Sequence, residues 1–333
     1  MAILVTGGAG FIGSNFILDW FSFHDEEIIN LDFLTYAGNL NNLIAVSKQK
    51  NYFFIKGDIR DKICLQDIFQ KYPIRAVINF AAETHVDRSI LGPADFIQTN
   101  IVGTFSLLES ALKYWQQLNY DKKNNFRFLH ISTDEVYGSL NQDDPAFVET
   151  SRYAPNSPYA ASKAASDHLV RSFHHTYGLP TLITNCSNNY GPLQHSEKLI
   201  PLCIDHALRD KSLPIYGDGM QIRDWLYVKD HCSALSCVLE KGLPGETYNI
   251  GGNNQQTNLS VVKLICQILD QKKPRIDNKS YSDQITFVKD RFGHDLRYAV
   301  NFNKIQQKLG WHPSEDFVSG MFKTVDYYLL GLS

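Results

Sequence analysis

Ala2-Ile3-Leu4-Val5-Thr6-Gly7-Gly8-Ala9-Gly10-Phe11-Ile12-Gly13 is an apolar run that passes into glycines at 7, 10 and 13 and then into an amphipathic stretch, Phe11 to Phe21. Strand, glycine turn, helix is the order of a dinucleotide cradle. Glycine permits the tight turn and the close approach of a pyrophosphate, whose charge the N–H groups and dipole of the helix N-terminus favour. Outward from the cradle the same grammar continues through EIINLD (27–32), NYFFIKG (51–57), a helix over 61–71, RAVINFAA (75–82), FRFLHIS (126–132) and TLITN (181–185). Helices are expected from Pro93 through Trp115 and from Pro158 to Tyr177. Strands alternating with helices imply a parallel sheet with right-handed crossovers and a ligand site at the carboxyl ends of the strands. After about residue 190 the elements shorten: a helix near 198–210, turn-rich PIYGDG at 214–219, a helix near 230–241, and a polar 243–300 segment suited to a small lobe over a cleft.

The chain has 333 residues, enough for about two domains. With 44% hydrophobic and 20% charged residues it reads as an ordinary folded protein, not a disordered or collagen-like one. A net charge of −3 leaves no global basic field for a nucleic acid or an anionic membrane, so a phosphate-bearing ligand needs local cations. The six cysteines contain no CxxC pair and no zinc-like spacing, which points to a reducing compartment and to no metal. No basic n-region precedes Ala2 and no apolar run reaches 18 residues, so neither a signal peptide nor a spanning helix is expected, and the cytoplasm is the natural assignment.

Asp32 ends the second strand and is followed by Phe33 and Leu34 rather than by Arg or Lys. A carboxylate there accepts hydrogen bonds from ribose hydroxyls and repels a 2′-phosphate, favouring NAD over NADP. Asp58, after the third strand, suits either an adenine contact or the cap of the next helix. Tyr159 and Lys163 lie four apart and share a helix face. A tyrosine base near neutral pH must come down from about 10 to about 7, which takes roughly 4 kcal/mol. A unit positive charge at about 4 Å supplies about that much at an effective dielectric near 20. Thr133, Asp134 and Glu135 put a hydroxyl and two carboxyls just past a core strand, where turn chemistry would also choose Thr and Asp. Two adjacent carboxyls serve as acid and base when their surroundings separate their pKa values.

Taken together, TGGAGFIGS (6–14), LTYAGN (34–39), AAETHVDRSI (81–90), TNIVGT (99–104), STDEVYG (132–138) and SPYAASKAASDHLVR (157–171) resemble the extended short-chain dehydrogenase/reductase family. The likeness continues through NCSNNYGP (185–192), EKLIP (197–201), RDWLYVKDH (223–231), YNIGG (248–252), DRFGHD (290–295) and the neighbouring Arg297-Tyr298. The glycines and the Tyr/Lys pair are shared widely in that family; the Asp-Glu pair narrows the likeness to members that dehydrate a nucleotide-linked glucose.

That resemblance implies an α/β fold, a Rossmann-type doubly wound parallel sheet with a smaller C-terminal α/β substrate lobe. Residues 1–190 would form the NAD-binding domain and 191–333 mainly the sugar-nucleotide lobe, with a soft boundary that the chain is free to cross back over. NAD would be surrounded by Gly7, Gly10, Phe11, Ile12, Gly13, Asp32, Asp58, Ile59, Ala81, Ala82, Thr99, Tyr159, Lys163 and Asn189. dTDP-glucose or a related sugar nucleotide would meet Thr84, Thr133, Asn188, Lys198, Leu199, Pro214, Tyr216, Arg223, Asn258, Arg291 and His294.

The implied chemistry begins with oxidation at C4, since the C5 hydrogen is barely acidic until a ketone stands beside it. Tyr159, assisted by Lys163 and aligned by Thr133, takes the O4 proton as hydride leaves for NAD⁺; Glu135 then removes the C5 proton and Asp134 protonates the departing O6. Hydride returns to C6, giving a 4-keto-6-deoxy sugar with no net redox change. Two departures from the family pattern, Leu193-Gln194-His195-Ser196 before EKLIP and Phe292 in place of a proline, bear on base preference more than on catalysis, so UDP-glucose stays open as a substrate. A nucleotide-sugar 4-epimerase would need the cradle and the Tyr/Lys pair but neither carboxyl, and a regulator that binds NAD without turnover would need none of the catalytic groups. The family also implies a homodimer, through helices including those near 93–115 and 158–177.

Overall fold

The computed structural model describes residues 1–290 and 293–331. Twelve strands are present among them: β1 Ala2–Thr6, β2 Glu27–Asp32, β3 Tyr52–Lys56, β4 Ile74–Asn79, β5 Arg127–Thr133, β6 Thr181–Cys186, β7 Asn188–Tyr190, β8 Leu213–Tyr216, β9 Ile222–Tyr227, β10 Thr247–Ile250, β11 Gln255–Thr257 and β12 Ile285–Val288. Seven form one sheet in the order β10-β6-β5-β4-β1-β2-β3, every adjacent pair parallel. Every residue of β1 is buried, as a central strand covered on both faces requires.

Helices close the two faces. Phe16 and Trp20 of helix Phe11–Phe23 pack with Leu235 and Val238 of helix Val228–Lys241 on one side. On the other lie Leu65 and Ile68 of Lys62–Lys71, Leu107 and Leu108 of Thr104–Gln117, and Val170 of Pro158–Tyr177. The sheet is therefore doubly wound, and its order reverses between β1 and β4, which opens a crevice at their carboxyl ends. Helix Val228–Lys241 and β10 come late in the chain yet join this first layer. The remainder builds a smaller lobe around Ile200, Ile204, Val261, Ile265 and Met321, with a three-stranded sheet β11-β9-β7 and the parallel pair β12-β8.

Two expected elements differ. The span 93–115 is not one α-helix: Val86–Leu91 ends at Gly92, a short turn covers Ala94–Phe96, residues Ile97–Gly103 are π-helical, and an α-helix resumes over Thr104–Gln117. Pro93 supplies no N–H to continue a helix across it, and the wider π turns carry the buried Asn100 side chain inward. In PIYGDG, Pro214 to Tyr216 belong to β8, because β12 offers them a parallel partner, and the turn begins at Gly217 with φ +58°. Among the described residues no helix is long and apolar enough to cross a membrane.

Candidate active site

The glycine turn is shaped by close approach. Gly7 has φ +70°, and a Cβ there would come within 2.7 Å of the Ala81 nitrogen; one on Gly13 would stand 2.5 Å from the Gly7 carbonyl oxygen. Gly10 caps the first helix without a side chain, and its first turn carries no acidic residue, so nothing there opposes an anion. Asp32 Oδ2 accepts from the Ala9 N–H (2.8 Å) and Oδ1 from the Leu34 N–H (2.7 Å), which fixes the carboxylate at the end of β2. Burial raises its pKa above the ordinary value against those two bonds.

A cavity of about 310 Å³ opens over this turn, and its walls include all fourteen residues expected around NAD, from Gly7 to Asn189. The glycine cradle and the acid at the end of β2, with Phe33 and Leu34 following it, fit NAD. Asp58 is one wall residue, and the idea that it caps the next helix is corrected: Asp61 does so, accepting from Ile63 and Cys64 N–H groups. Asp58 instead holds Arg60 through backbone and guanidinium; burial raises its carboxyl, and these bonds outweigh that to leave it below the ordinary value.

A second cavity of about 380 Å³ adjoins the first, and Thr84, Glu135, Asn188, Asn189, Glu197 and Lys198 belong to both walls. Leu199, Pro214, Tyr216, Arg223, Asn258 and His294 line its far side. Arg223 lies with its guanidinium 4.4 Å over the Tyr298 ring and donates to the Ile222 and Asp295 carbonyls. Lys198 Nζ donates to the Thr84 carbonyl at 3.2 Å, and His294 Nδ1 lies 2.7 Å from Asp290 Oδ1. Arg291 falls outside the described residues.

The five expected catalytic residues gather where β5 ends. Thr133 closes that strand, and Asp134–Tyr137 turn away as a short 3₁₀ helix that Thr133 caps, its hydroxyl accepting from the Glu135 N–H at 3.3 Å. Glu135, half-buried, stands on the wall common to both cavities. Asp134 lies behind it, 1% exposed, among the described residues of neither wall, and its Oδ2 has no hydrogen-bond partner among the described residues. Burial, then Glu135 and Asp224, pushes the Asp134 carboxyl well above the usual carboxylate range, with Arg223 and Thr133 pulling the other way. The two adjacent carboxyls thus sit in unlike surroundings.

Tyr159 and Lys163 face the first cavity from helix Pro158–Tyr177, which Ser157 caps through Ala160 N and Pro158 starts. The two share the helix face expected of them, and each has further partners. Lys163 Nζ donates to the Ile131 carbonyl at 2.7 Å and lies 3.4 Å from His130 Nε2, while burial, Glu135 and Cys186 push the Tyr159 phenol well above its ordinary value, with Thr133 acting the other way.

Sequence reasoning missed several residues that brace this site. Asn100 accepts from Glu83 N–H at 2.8 Å and donates to Glu83 carbonyl and Ser162 hydroxyl at 3.0 and 2.8 Å, tying the end of β4 to the Tyr/Lys helix. His231, fully buried and brought down to about 3 by burial, holds Asn189 at 2.9 Å. Cys186, pushed up to about 12 chiefly by burial, lines the cavity as an inert thiol. The available signal was polar residues inside otherwise apolar segments, such as His130 in FRFLHIS and Asn100 in TNIVGT.

A Rossmann-type layer with a glycine cradle, an acid at the end of β2 and a Tyr-x-x-x-Lys helix defines the extended short-chain dehydrogenase/reductase class. Within it, the model of the GDP-mannose 4,6 dehydratase family matches residues 4–324, and the chain belongs to that family. It is 57% identical to a dTDP-glucose 4,6-dehydratase of Xanthomonas campestris pv. campestris (strain B100) over 326 residues, covering 98% of this chain and 92% of the relative. It is 56% identical to dTDP-glucose 4,6-dehydratase 1 of Escherichia coli (strain K12) over 337 residues, 99% of this chain and 93% of that one. The solved structure of the dTDP-glucose 4,6-dehydratase DesIV from Streptomyces venezuelae, with NAD bound, superposes with a TM-score of 0.90 at 43% identity, covering 99% of this chain and 97% of that one.

Proposed function

We propose that this protein is an NAD-dependent hydro-lyase that converts dTDP-glucose to dTDP-4-keto-6-deoxyglucose. The observation that carries this reading is the Asp134–Glu135 pair: one carboxyl on the wall common to both cavities, the other buried behind it and held toward its protonated form. An epimerase has no use for either group, and the 54–57% identical relatives bearing the dehydratase name point the same way. The Gly7–Gly13 turn and Asp32 would hold the pyrophosphate and a ribose of NAD in the first cavity, and the bound cofactor would supply a reversible hydride acceptor and a positive charge near Tyr159.

The chain's own groups do the rest. Thr133 orients the O4 hydroxyl toward Tyr159, which takes its proton; Lys163 provides the nearby positive charge. Glu135, facing the sugar from the common wall, removes the C5 proton once C4 is a ketone. Asp134, held toward its protonated form, is the acid that the family likeness assigns to the departing O6 hydroxyl, and its carboxyl has to turn from behind Glu135 toward the sugar to reach it. Each well-placed acid or base contributes about 10²–10⁴-fold. On the nucleotide side, Lys198 and Arg223 bring the local positive charge that a net −3 chain lacks globally, Arg291 being a further candidate. Residues 1–190, joined by Val228–Lys241 and β10, serve the cofactor, and most of 191–333 serves the sugar nucleotide. The six free thiols suit a reducing compartment, and we place the protein in the cytoplasm as a homodimer.

The test is product formation from dTDP-glucose and UDP-glucose in parallel, read as the alkali-induced absorbance of a 4-keto sugar. The expected result is a strong signal from dTDP-glucose. A flat trace with both, beside a galactose-configured product, would make the protein an epimerase; a larger signal from UDP-glucose would move the substrate.

A further inference from the structure

Behind the Tyr159–Lys163 face, buried polar side chains cross the sheet at a single register. Thr6 of β1 donates to Asn79 Oδ1 of β4 at 2.7 Å, and Asn79 Nδ2 lies 3.2 Å from Nδ1 of His130 on β5. The strand register pairs Thr6 with Asn79 and Asn79 with His130. Nε2 of His130 stands 3.4 Å from Lys163 Nζ and 3.4 Å from Asp167 Oδ1, so the imidazole sits between an ammonium and a carboxyl. Asp167 Oδ2 collects the Ser132 and Tyr153 hydroxyls and the Asn185 amide at 2.8, 2.9 and 3.2 Å, while Oδ1 has no hydrogen-bond partner among the described residues and faces the ring.

An imidazole at 0% exposure and a carboxyl at 2% are costly guests in an apolar sheet, and no step of the dehydration uses either. Their position explains them. Lys163 is brought down to about 8 by burial, with Asp167 and Cys186 acting to raise it. His130 is brought down to about 4, by burial first and then by Lys163, and so stays neutral near pH 7. The titratable groups facing Lys163 are His130 from β5, Cys186 from β6, and Tyr159 and Asp167 one turn either side on its own helix. With Cys186 pushed up to about 12 chiefly by burial and Tyr159 raised further, Asp167 is the first of them to act on Lys163 in the raising direction.

We propose that Asp167, with His130 as its spacer, is a positioning residue that keeps the Lys163 ammonium charged and anchored on the Ile131 carbonyl. This rests on the reading of Tyr159 and Lys163 as the acid–base pair. Lys163 is needed protonated, so activity declines as pH rises through its titration. Removing the Asp167 charge moves that decline to lower pH, and acidification restores the rate.

The experiment is the pH profile of kcat and KM for dTDP-glucose in the full-length holoenzyme, for the parent, Asp167→Asn, Asp167→Glu, His130→Asn and Lys163→Met, each checked by circular dichroism. The expected result is an alkaline limb of kcat displaced downward by about one pH unit or more in Asp167→Asn, a tenfold loss on that limb. KM should stay near the parent value, Asp167→Glu should return the limb toward its place, and His130→Asn should move it in the same direction as Asp167→Asn. A limb that stays put in Asp167→Asn, however low the plateau, overturns the proposal and marks a merely structural residue. Should Asp167→Asn fail to fold, an unmoved limb in His130→Asn overturns it equally. Full turnover in Lys163→Met would instead bring down the underlying reading of the pair, and this proposal with it; loss of turnover there beside an unmoved limb refutes Asp167 alone.

Discussion

Glu135 and Asp134 differ by one position and by everything around them. Glu135 reaches the wall that both cavities share, whereas Asp134 is buried behind it with one oxygen lacking a hydrogen-bond partner among the described residues. The division of labour predicts that Glu135→Gln still oxidises C4 but stalls before water is lost. Reduced cofactor should accumulate at 340 nm on adding dTDP-glucose, with 4-keto-6-deoxy product slowed by about 10²–10⁴-fold; parent-like product formation would remove Glu135 from its role. These two carboxyls were legible in the sequence because they are neighbours past a core strand. The surroundings that separate them were not, since Asp224 and Arg223 reach Asp134 from β9, far along the chain. The same holds for Lys163: spacing told that it shares a face with Tyr159, but its bond to Ile131 is set by how the helix lies on β5.

At the scale of elements, βαβ periodicity revealed the parallel strands and the helices at 11–23, 62–71 and 158–177. It did not reveal the π turns of Ile97–Gly103, because an apolar stripe drawn at helical spacing passes smoothly through them. Those turns matter because they bring Asn100 between the end of β4 and the Tyr/Lys helix with three hydrogen bonds. Truncation leaves the Glu83 N–H and carbonyl without their side-chain partner and opens a gap beside the Ser162 hydroxyl, which keeps its own bond to the Tyr159 carbonyl. Asn100→Ala should therefore lower stability by about 2–4 kcal/mol in urea denaturation. An unchanged midpoint and slope would show that the clamp carries no load.

Taken as a whole molecule, the chain lays one sheet from both of its halves and folds a smaller lobe across the strand ends, leaving two cavities that meet at Glu135. The first half of that plan follows from the glycine cradle; the return of β10 does not, since Thr247–Ile250 is a short run whose partner, β6, lies some sixty residues earlier. Ile97 and Phe105, exposed at 47% and 37%, lie in the segment that the family likeness assigns to subunit contact. Light scattering should give twice the chain mass for the parent, and Ile97→Glu with Phe105→Glu should halve it; a monomeric parent would contradict the dimer. The proposed dehydration turns on a hydride taken from C4 and given back while the sugar stays bound. Its most direct test is dTDP-glucose deuterated at C4, turned over and read by mass and NMR. Deuterium on the C6 methyl of the product is the predicted outcome, and deuterium lost to solvent or kept at C4 would contradict it.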